Sequence, residues 1–363
     1  MPKELRKRKM ILLGLIIVLI LALCACGGGQ GPAENVTGDE TGDGSGAAGE
    51  VYHWRMAHEE YLGSMQDVYC RELADLMHEL SDGRINIDVY PVGQIGDATQ
   101  QAELLQVGGL EFGMVSPGNT GTMVPENQLF SLHFLFPGDL EKTNQLMKSS
   151  YALNTMLSDL YLDKNIKVLA YWTEGAMDWT ANKPLRTPAD FKGLKMRTMP
   201  SPMIVACYAA YGANPTPMPY LEVYSGLQLG MIEGQENPVS AIEESKFYEV
   251  QKYLIQANSN LYFTTTATNP SFFDSLPADI QEIILDAIEQ MRPRSLEIVN
   301  ELNNASAKRI ADSGLIEIIK LTDAERAAFV PYAEKAWDDY RDMVGQTGSD
   351  ILDKLIEEAA AYQ

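Results

Sequence analysis

Two stretches of the chain, 122 residues apart, read alike. Residues 105–116 are LQVGGLEFGMVS and residues 227–238 are LQLGMIEGQENP, both of the form Leu-Gln-aliphatic-Gly-x-aliphatic-Glu. A true repeat means two halves of similar build, each with a helix running into a strand, and Ser116 and Pro238 at equivalent strand exits. Two chance copies of a common helix-to-strand joint would read the same way. At 363 residues the chain is long enough for two domains and a substantial core.

The periodicity around the first copy alternates between strand and helix. Residues 51–57 alternate as a strand. Residues 64–81 carry a helical stripe of Val68, Leu73, Leu76, Met77 and Leu80. Asp82-Gly83 ends it, and 84–91 (RINIDVYP) alternate as a second strand with Ile85, Ile87 and Val89 on one face. A helix over 97–109 stopped by glycines and a strand over 110–118 complete a β-α-β-α-β order. That order predicts an α/β lobe with a largely parallel sheet. Further strands are expected over 166–172, 177–184 and 194–199. The last hundred residues read mostly as helix. Residues 276–291 have Ile280, Ile284, Ala287, Ile288 and Met291 on one side, and Pro293 should kink or end that helix. A strand over 315–321 precedes a helical stretch to 344, with Thr322 as N-cap and Glu325 three residues on.

The strand 194–199, LKMRTM, places Leu194, Met196 and Thr198 on one face and Lys195, Arg197 and Met199 on the other. It ends in Pro200-Ser201-Pro202 before a helix-like run, MIVACYAAYGA. Open α/β sheets bind ligands at such strand exits, so Arg197 is a candidate ligand group. An exposed or ion-paired arginine is the plainer alternative.

The chain starts with Lys3, Arg6, Lys7, Arg8 and Lys9, then an apolar run over 10–23. That run is short for a membrane span and right for an export signal. It closes in LALCAC, where Leu23 and Ala25 before Cys26 fit a bacterial lipoprotein signal better than the residues before Cys24. Residues 1–25 are therefore expected to be removed and Cys26 lipidated. Residues 26–50, Gly-rich and acidic, would form a flexible tether. The full chain carries a formal charge of −22; the signal holds five Lys/Arg and one Glu, so its loss leaves −26. Such a surface repels nucleic acid and anionic small molecules. An acidic ligand would need a local cation, which returns attention to Arg197. Beyond the signal only Cys70 and Cys207 remain, with no metal-type spacing and no disulfide framework.

Three segments carry a family resemblance: GLKMRTMPSP (193–202), GANPTPMPYLEVYSGLQLGMIEGQENP (212–238) and KFYEVQKYL (246–254). They resemble the DctP-type substrate-binding proteins of TRAP transporters, and the likeness extends from residue 51 to the C-terminus through GRINIDVYPVGQIGD and NKPLRTPADFKGLK. The resemblance implies a two-lobed α/β fold of the periplasmic-binding-protein type (class II), with hinge strands, a long inter-lobe helix and a central ligand cleft. It puts residues 51–174 and 263–301 in the first lobe and 175–262 and 302–363 in the second. It implies a two-pronged salt bridge from Arg197 to a ligand carboxylate, for which a guanidinium is suited by its two parallel N–H donors. It implies an amide donor at Asn237, a stacking ring at Tyr220 and a first-lobe contact at Ser116. Where many members carry a second ligand-facing Arg, this chain has Met177, expected to share a face with Trp179. A carboxylate with an apolar or aromatic body is then expected. A C4-dicarboxylate would need a further cation, for which Arg55 and His58 are candidates.

No nucleophile-elbow, P-loop or His-Glu-x-x-His motif is present. The four histidines, His53, His58, His78 and His133, are scattered. An extracytoplasmic solute-binding protein, not an enzyme, is the expectation. It would be monomeric, lipid-anchored, without cofactor, metal or nucleic acid, and would deliver an organic acid to small and large membrane permease subunits. A sensory lipoprotein reporting the ligand to a receptor kinase is the alternative.

Overall fold

The computed structural model describes residues 50–362. The export signal, the lipidation candidate Cys26 and the tether up to residue 49 lie outside the described residues. In chain order the strands are β1 (Tyr52–Ala57), β2 (Ile85–Tyr90), β3 (Phe112–Met114), β4 (Lys167–Ala176), β5 (Asp178–Ala181), β6 (Lys195–Thr198), β7 (Asn214–Pro217), β8 (Gly234–Asn237), β9 (Tyr253–Gln256), β10 (Leu261–Thr268) and β11 (Glu317–Lys320). The helices are α1 (Met65–Leu80), α2 (Ala98–Gln106), α3 (Pro117–Thr120), α4 (Leu140–Ser149), α5 (Ser158–Leu162), α6 (Pro202–Ala210), α7 (Val223–Gln228), α8 (Val239–Glu244), α9 (Pro270–Ser275), α10 (Ala278–Ser313), α11 (Asp323–Ala327) and α12 (Val330–Ala359).

Two sheets result, in the orders β2-β1-β3-β10-β4 and β11-β9-β5-β8-β6-β7. The repeated stretches occupy matching places in them. β1 pairs in parallel with β2 and β3, and β6 pairs in parallel with β7 and β8. β3 is then flanked by antiparallel β10, and β8 by antiparallel β5. The Leu-Gln copies form the ends of α2 and α7, and the strands that follow them are β3 and β8. The edge strand β7 (NPTP) contains two prolines, which an edge tolerates because it has no second neighbour to bond.

The chain passes between the sheets at Met177, between β4 and β5, and at residues 257–260, between β9 and β10. The two crossings are tied together by Met177 N–H donating to Asn260 C=O at 2.9 Å. Gly175, just before the first crossing, has φ 101°, where a side chain is strained, and a Cβ there would lie 2.8 Å from Asn303 Nδ2.

The third link is α10, whose 36 residues span about 54 Å. Ile280, Ile284, Ile288 and Val299 pack under the first sheet with Leu73 and Met77 of α1. Ile310, three turns on, packs in the second lobe with Phe247 and Leu254. Pro293 does not end this helix, which runs on through it to Ser313. The apolar stripe resumes at Ile298 and Val299, and burial on both sides of the proline offsets its missing hydrogen bond. From α10, Asn303 reaches both lobes: Nδ2 donates to Glu174 C=O (2.8 Å) and Oδ1 accepts from Ser240 N–H (3.2 Å).

The capping box at Thr322 and Glu325 opens α11. α12 is two helices joined at Gly345, whose φ 65°, ψ −154° breaks the helical run. Its second half, which the resemblance puts in the second lobe, also packs on residues 146–157. Ile351, Leu352 and Leu355 pack with Leu146, Leu153 and Leu157 of the first lobe, and Glu358 accepts from Ser150 Oγ (2.5 Å) and Tyr151 N–H (3.1 Å). The apolar stripe of α12 has its matching surface there. Cys70 and Cys207 are buried and free.

Candidate functional site

β6 is held between β7 and β8, so its alternate side chains face opposite layers. Met196 turns into the second-lobe core, and Arg197 turns into a cavity of about 220 Å³ between the lobes. Arg197 is only 3% exposed. Its Nε and Nη2 both donate to Met218 C=O, at 3.0 and 2.9 Å, which fixes the plane of the guanidinium. Among the described residues it forms no ion pair within 4.0 Å. Burial lowers its pKa to about 10, so it stays charged at neutral pH.

Asn237, at the end of β8, lines the same cavity and donates through Nδ2 to Gln235 Oε1. Tyr220 also lines it, with its hydroxyl 2.6 Å from Ser245 Oγ and its ring centroid 5.4 Å from that of Tyr61 in the first lobe. The apolar walls come from Val92, Met199, Met218 and neighbouring prolines. Arg197, Asn237 and Tyr220 are thus brought together.

Ser116 and Met177 lie behind this cavity, on a smaller void of about 30 Å³ that they share with Glu236 and Tyr262. Ser116 is buried, and its N–H donates to Glu59 Oε1 at 3.0 Å. Trp179 does not share the wall with Met177. It is fully buried in the second-lobe core, its ring 4.8 Å from Phe191 and 5.3 Å from Phe329. The backbone crossing at Met177 interrupts the strand, so alternation does not carry from 177 to 179.

The two cations considered for a second carboxylate are elsewhere. Arg55 is bound to Glu111 (2.8 Å) and its side chain is 47% exposed. His58 is fully buried, with Nε2 3.1 Å from Asp67 Oδ1, and Glu60 N–H points at its Nδ1 (3.4 Å). That geometry puts the proton on Nε2. Burial lowers the pKa of His58 to about 4, so it is a neutral prop for the Glu59-Glu60 turn and not a ligand contact.

Those two glutamates are the site residues that sequence reasoning missed. Both line the cavity from the first lobe, immediately after β1. Glu59 accepts from Ser116 N–H and from Tyr262 O–H (3.2 Å), and burial raises its pKa to about 7. Glu60 is raised by burial, and Glu174 beside it is raised well above the usual carboxylate range, by burial first and then by the charge of Glu60. Burial thus pushes both carboxyls of this pair above the ordinary range. Gln66 Nε2 holds Glu174 Oε1 at 2.8 Å. The rule that singled out Arg197, a charged residue at a strand exit, applies equally to Glu59 and Glu60 in WRMAHEE. Among the described residues no cluster of His, Cys, Asp or Glu is arranged to hold a metal ion.

This cavity can hold an anionic group against Arg197 while its opposite wall accepts N–H donors or a positive charge at Glu59 and Glu60.

Residues 56–342 match the DctP model, described as bacterial extracellular solute-binding protein, family 7. The ectoine-binding periplasmic protein TeaA of Halomonas elongata is 34% identical over 312 residues, 86% of this chain and 91% of that protein. Its solved structure superposes with a TM-score of 0.82, covering 85% of this chain and 100% of TeaA. The ectoine/5-hydroxyectoine-binding periplasmic protein UehA of Ruegeria pomeroyi is 32% identical over 318 residues, 87% of this chain and 93% of that protein. A TRAP periplasmic solute-binding protein from Desulfovibrio salexigens, solved with bound orotic acid, is 29% identical with a TM-score of 0.81, covering 86% of this chain and 100% of that one.

Proposed function

The chain belongs to family 7 of the bacterial extracellular solute-binding proteins, the DctP family, and from that premise we propose how its cleft is used. It is the solute-binding component of a TRAP transporter for organic acids. Proteins of this kind act outside the cytoplasm with membrane permease subunits; the relatives give no support to the receptor-kinase alternative.

In our reading Arg197 grips the ligand carboxylate, Asn237 adds an amide contact and Tyr220 covers the ligand. The observation that carries the ligand class is the pairing of Arg197 with Glu59 and Glu60 on the walls of one cavity. A ligand whose carboxylate meets Arg197 places its far end beside Glu60. A second carboxylate there would be repelled, whereas a cationic or N–H-bearing group would be held. The ligand is then a compact monocarboxylate whose apolar ring or body also carries a positive nitrogen group. Ectoine, a cyclic amidine with a carboxylate, has this chemistry, and two relatives are named as ectoine binders. Met199, Met218 and Val92 supply the apolar contacts.

Isothermal titration of the purified protein with ectoine and with succinate tests this reading. Ectoine should bind and succinate should bind far more weakly; succinate binding as tightly as ectoine would overturn the ligand class. We place the mature protein, a monomer, on the membrane through a lipid on Cys26. Cys26→Ser should move it from the membrane fraction to the soluble one, and retention on the membrane would count against the anchor.

A further inference from the structure

A second cavity, of about 410 Å³, lies against the crossings between the lobes. It is bounded by Ala176 at the end of β4 and by residues 258–261 entering β10, the two segments joined by the Met177–Asn260 bond. Asn260 and Leu261 separate it from the void behind the cleft, since both residues line each of them.

Its chemistry is uneven in a telling way. One side is apolar, built by Phe134, Phe136, Leu140 and Leu261. The other side carries Arg326, and no acidic residue lines the cavity, on a chain with a net charge of −22. Arg326 Nη2 donates to Asn258 C=O at 2.8 Å, which orients the guanidinium. This repeats the way Met218 C=O holds Arg197. Arg326 Nε and Ser259 Oγ are buried without a hydrogen-bond partner, and both residues line the cavity. Buried polar atoms without partners are uncommon and cost stability unless something satisfies them. Phe134 adds a second cost. Its φ of 62° is in the left-handed region, which bulky side chains avoid, and such strain concentrates at functional positions.

We infer that this hinge cavity is a second binding site, for an amphipathic monocarboxylate. The carboxylate is held at the Arg326 guanidinium, on the side of Ser259, and the apolar body lies on Phe134, Phe136 and Leu140. The site is separate from the cleft, and its occupant sits against both segments that must bend when the lobes move.

The probe is 4-fluorophenylacetate, followed by fluorine NMR on the full-length mature protein in an Arg197→Ala background, which removes the cation of the cleft. Saturable binding of one equivalent is expected. Arg326→Gln should weaken it roughly tenfold or more, as for loss of a charge-assisted hydrogen bond. Gly138→Leu is a second variant: Gly138 lines the cavity and a Cβ there meets no atom within 4 Å, so the substitution adds bulk without a clash at Cβ. It should block the probe while leaving the melting temperature near that of its parent. Absence of saturable binding, or binding that survives both changes, overturns the inference. Neither Arg326 nor Gly138 lines the cleft, so this failure would leave the reading of Arg197 standing, and the ectoine titration would test that reading separately.

Discussion

The two lobes share a winding and differ in charge at the same place. In each, a central strand (β1 or β6) lies between two parallel neighbours, and the third strand is followed by an antiparallel one that has crossed from the other lobe. The exit of β1 leads to Glu59 and Glu60; the end of β6 carries Arg197. The winding decides which residues reach the cleft, and the side chains at those few positions decide what the cleft holds. Two exits of one sign would suit a simple anion or cation, while opposite signs suit a molecule that carries both.

Five measurements would break or sharpen this contrast, the largest effect first. Arg197→Lys should weaken ectoine binding by roughly a hundredfold, because a point charge replaces two parallel donors worth about 1.5–3 kcal/mol each. The melting temperature of the free protein should change little; unchanged affinity would remove Arg197 from the site. Glu60→Gln should lower ectoine affinity by about tenfold or more and leave succinate unaffected or improved. Equal losses for both ligands would mean that the first lobe does not read the cationic end.

Acidity addresses the same pair of exits. With the pKa of Glu59 near 7, raising the pH from about 6 to about 8 should tighten ectoine binding by up to roughly tenfold, as the carboxylate ionises. The free protein should show the reverse trend in stability. Glu59 and Glu236 both stand near 7, above an ordinary value of 4.5, so between those values the folded state binds more protons than the unfolded one. The contribution is present below the ordinary value and lost as pH rises through about 7. His58 and His133, lowered to about 4 by burial, oppose this trend mainly below the ordinary histidine range. Melting temperature measured from about pH 6.5 to 8 without ligand should therefore fall, and a rise would contradict the burial of these acids. The smallest effect is at the rim: Tyr61→Ala should speed ligand release a few-fold, since a ring pair contributes about 0.5–1.5 kcal/mol. Stopped-flow displacement would read it, and an unchanged release rate would mean that the ring pair does not hold the closed form.

Much of the architecture was legible because period and punctuation agree there. The stripe of α1, the alternation of β2, the capping box at Thr322 and the repeated Leu-Gln joint each state one local structure, and each is realised. Reading failed where long-range packing overrides local preference. Pro293 makes an end to the helix one expected outcome, but α10 runs on because it has a core at both ends to hold it. The prolines of β7 hide an edge strand. Trp179 looked like a cleft wall because alternation was carried through a crossing that one sequence does not reveal. Glu59 and Glu60 were visible at a strand exit, yet exposed acids are so common on a chain this negative that nothing local set them apart. Their burial comes from residues distant in sequence, such as Ser116, Glu174 and Tyr262.

Asn303 sits where one long helix touches both halves, giving one bond to the strand that leaves the first lobe and one to the helix that follows β8 in the second. Points close to an axle travel least when the parts around it swing. Both bonds can therefore persist while the jaws gape, so opening need not sacrifice them, and the energy of gripping the solute is free to be set at the lips alone.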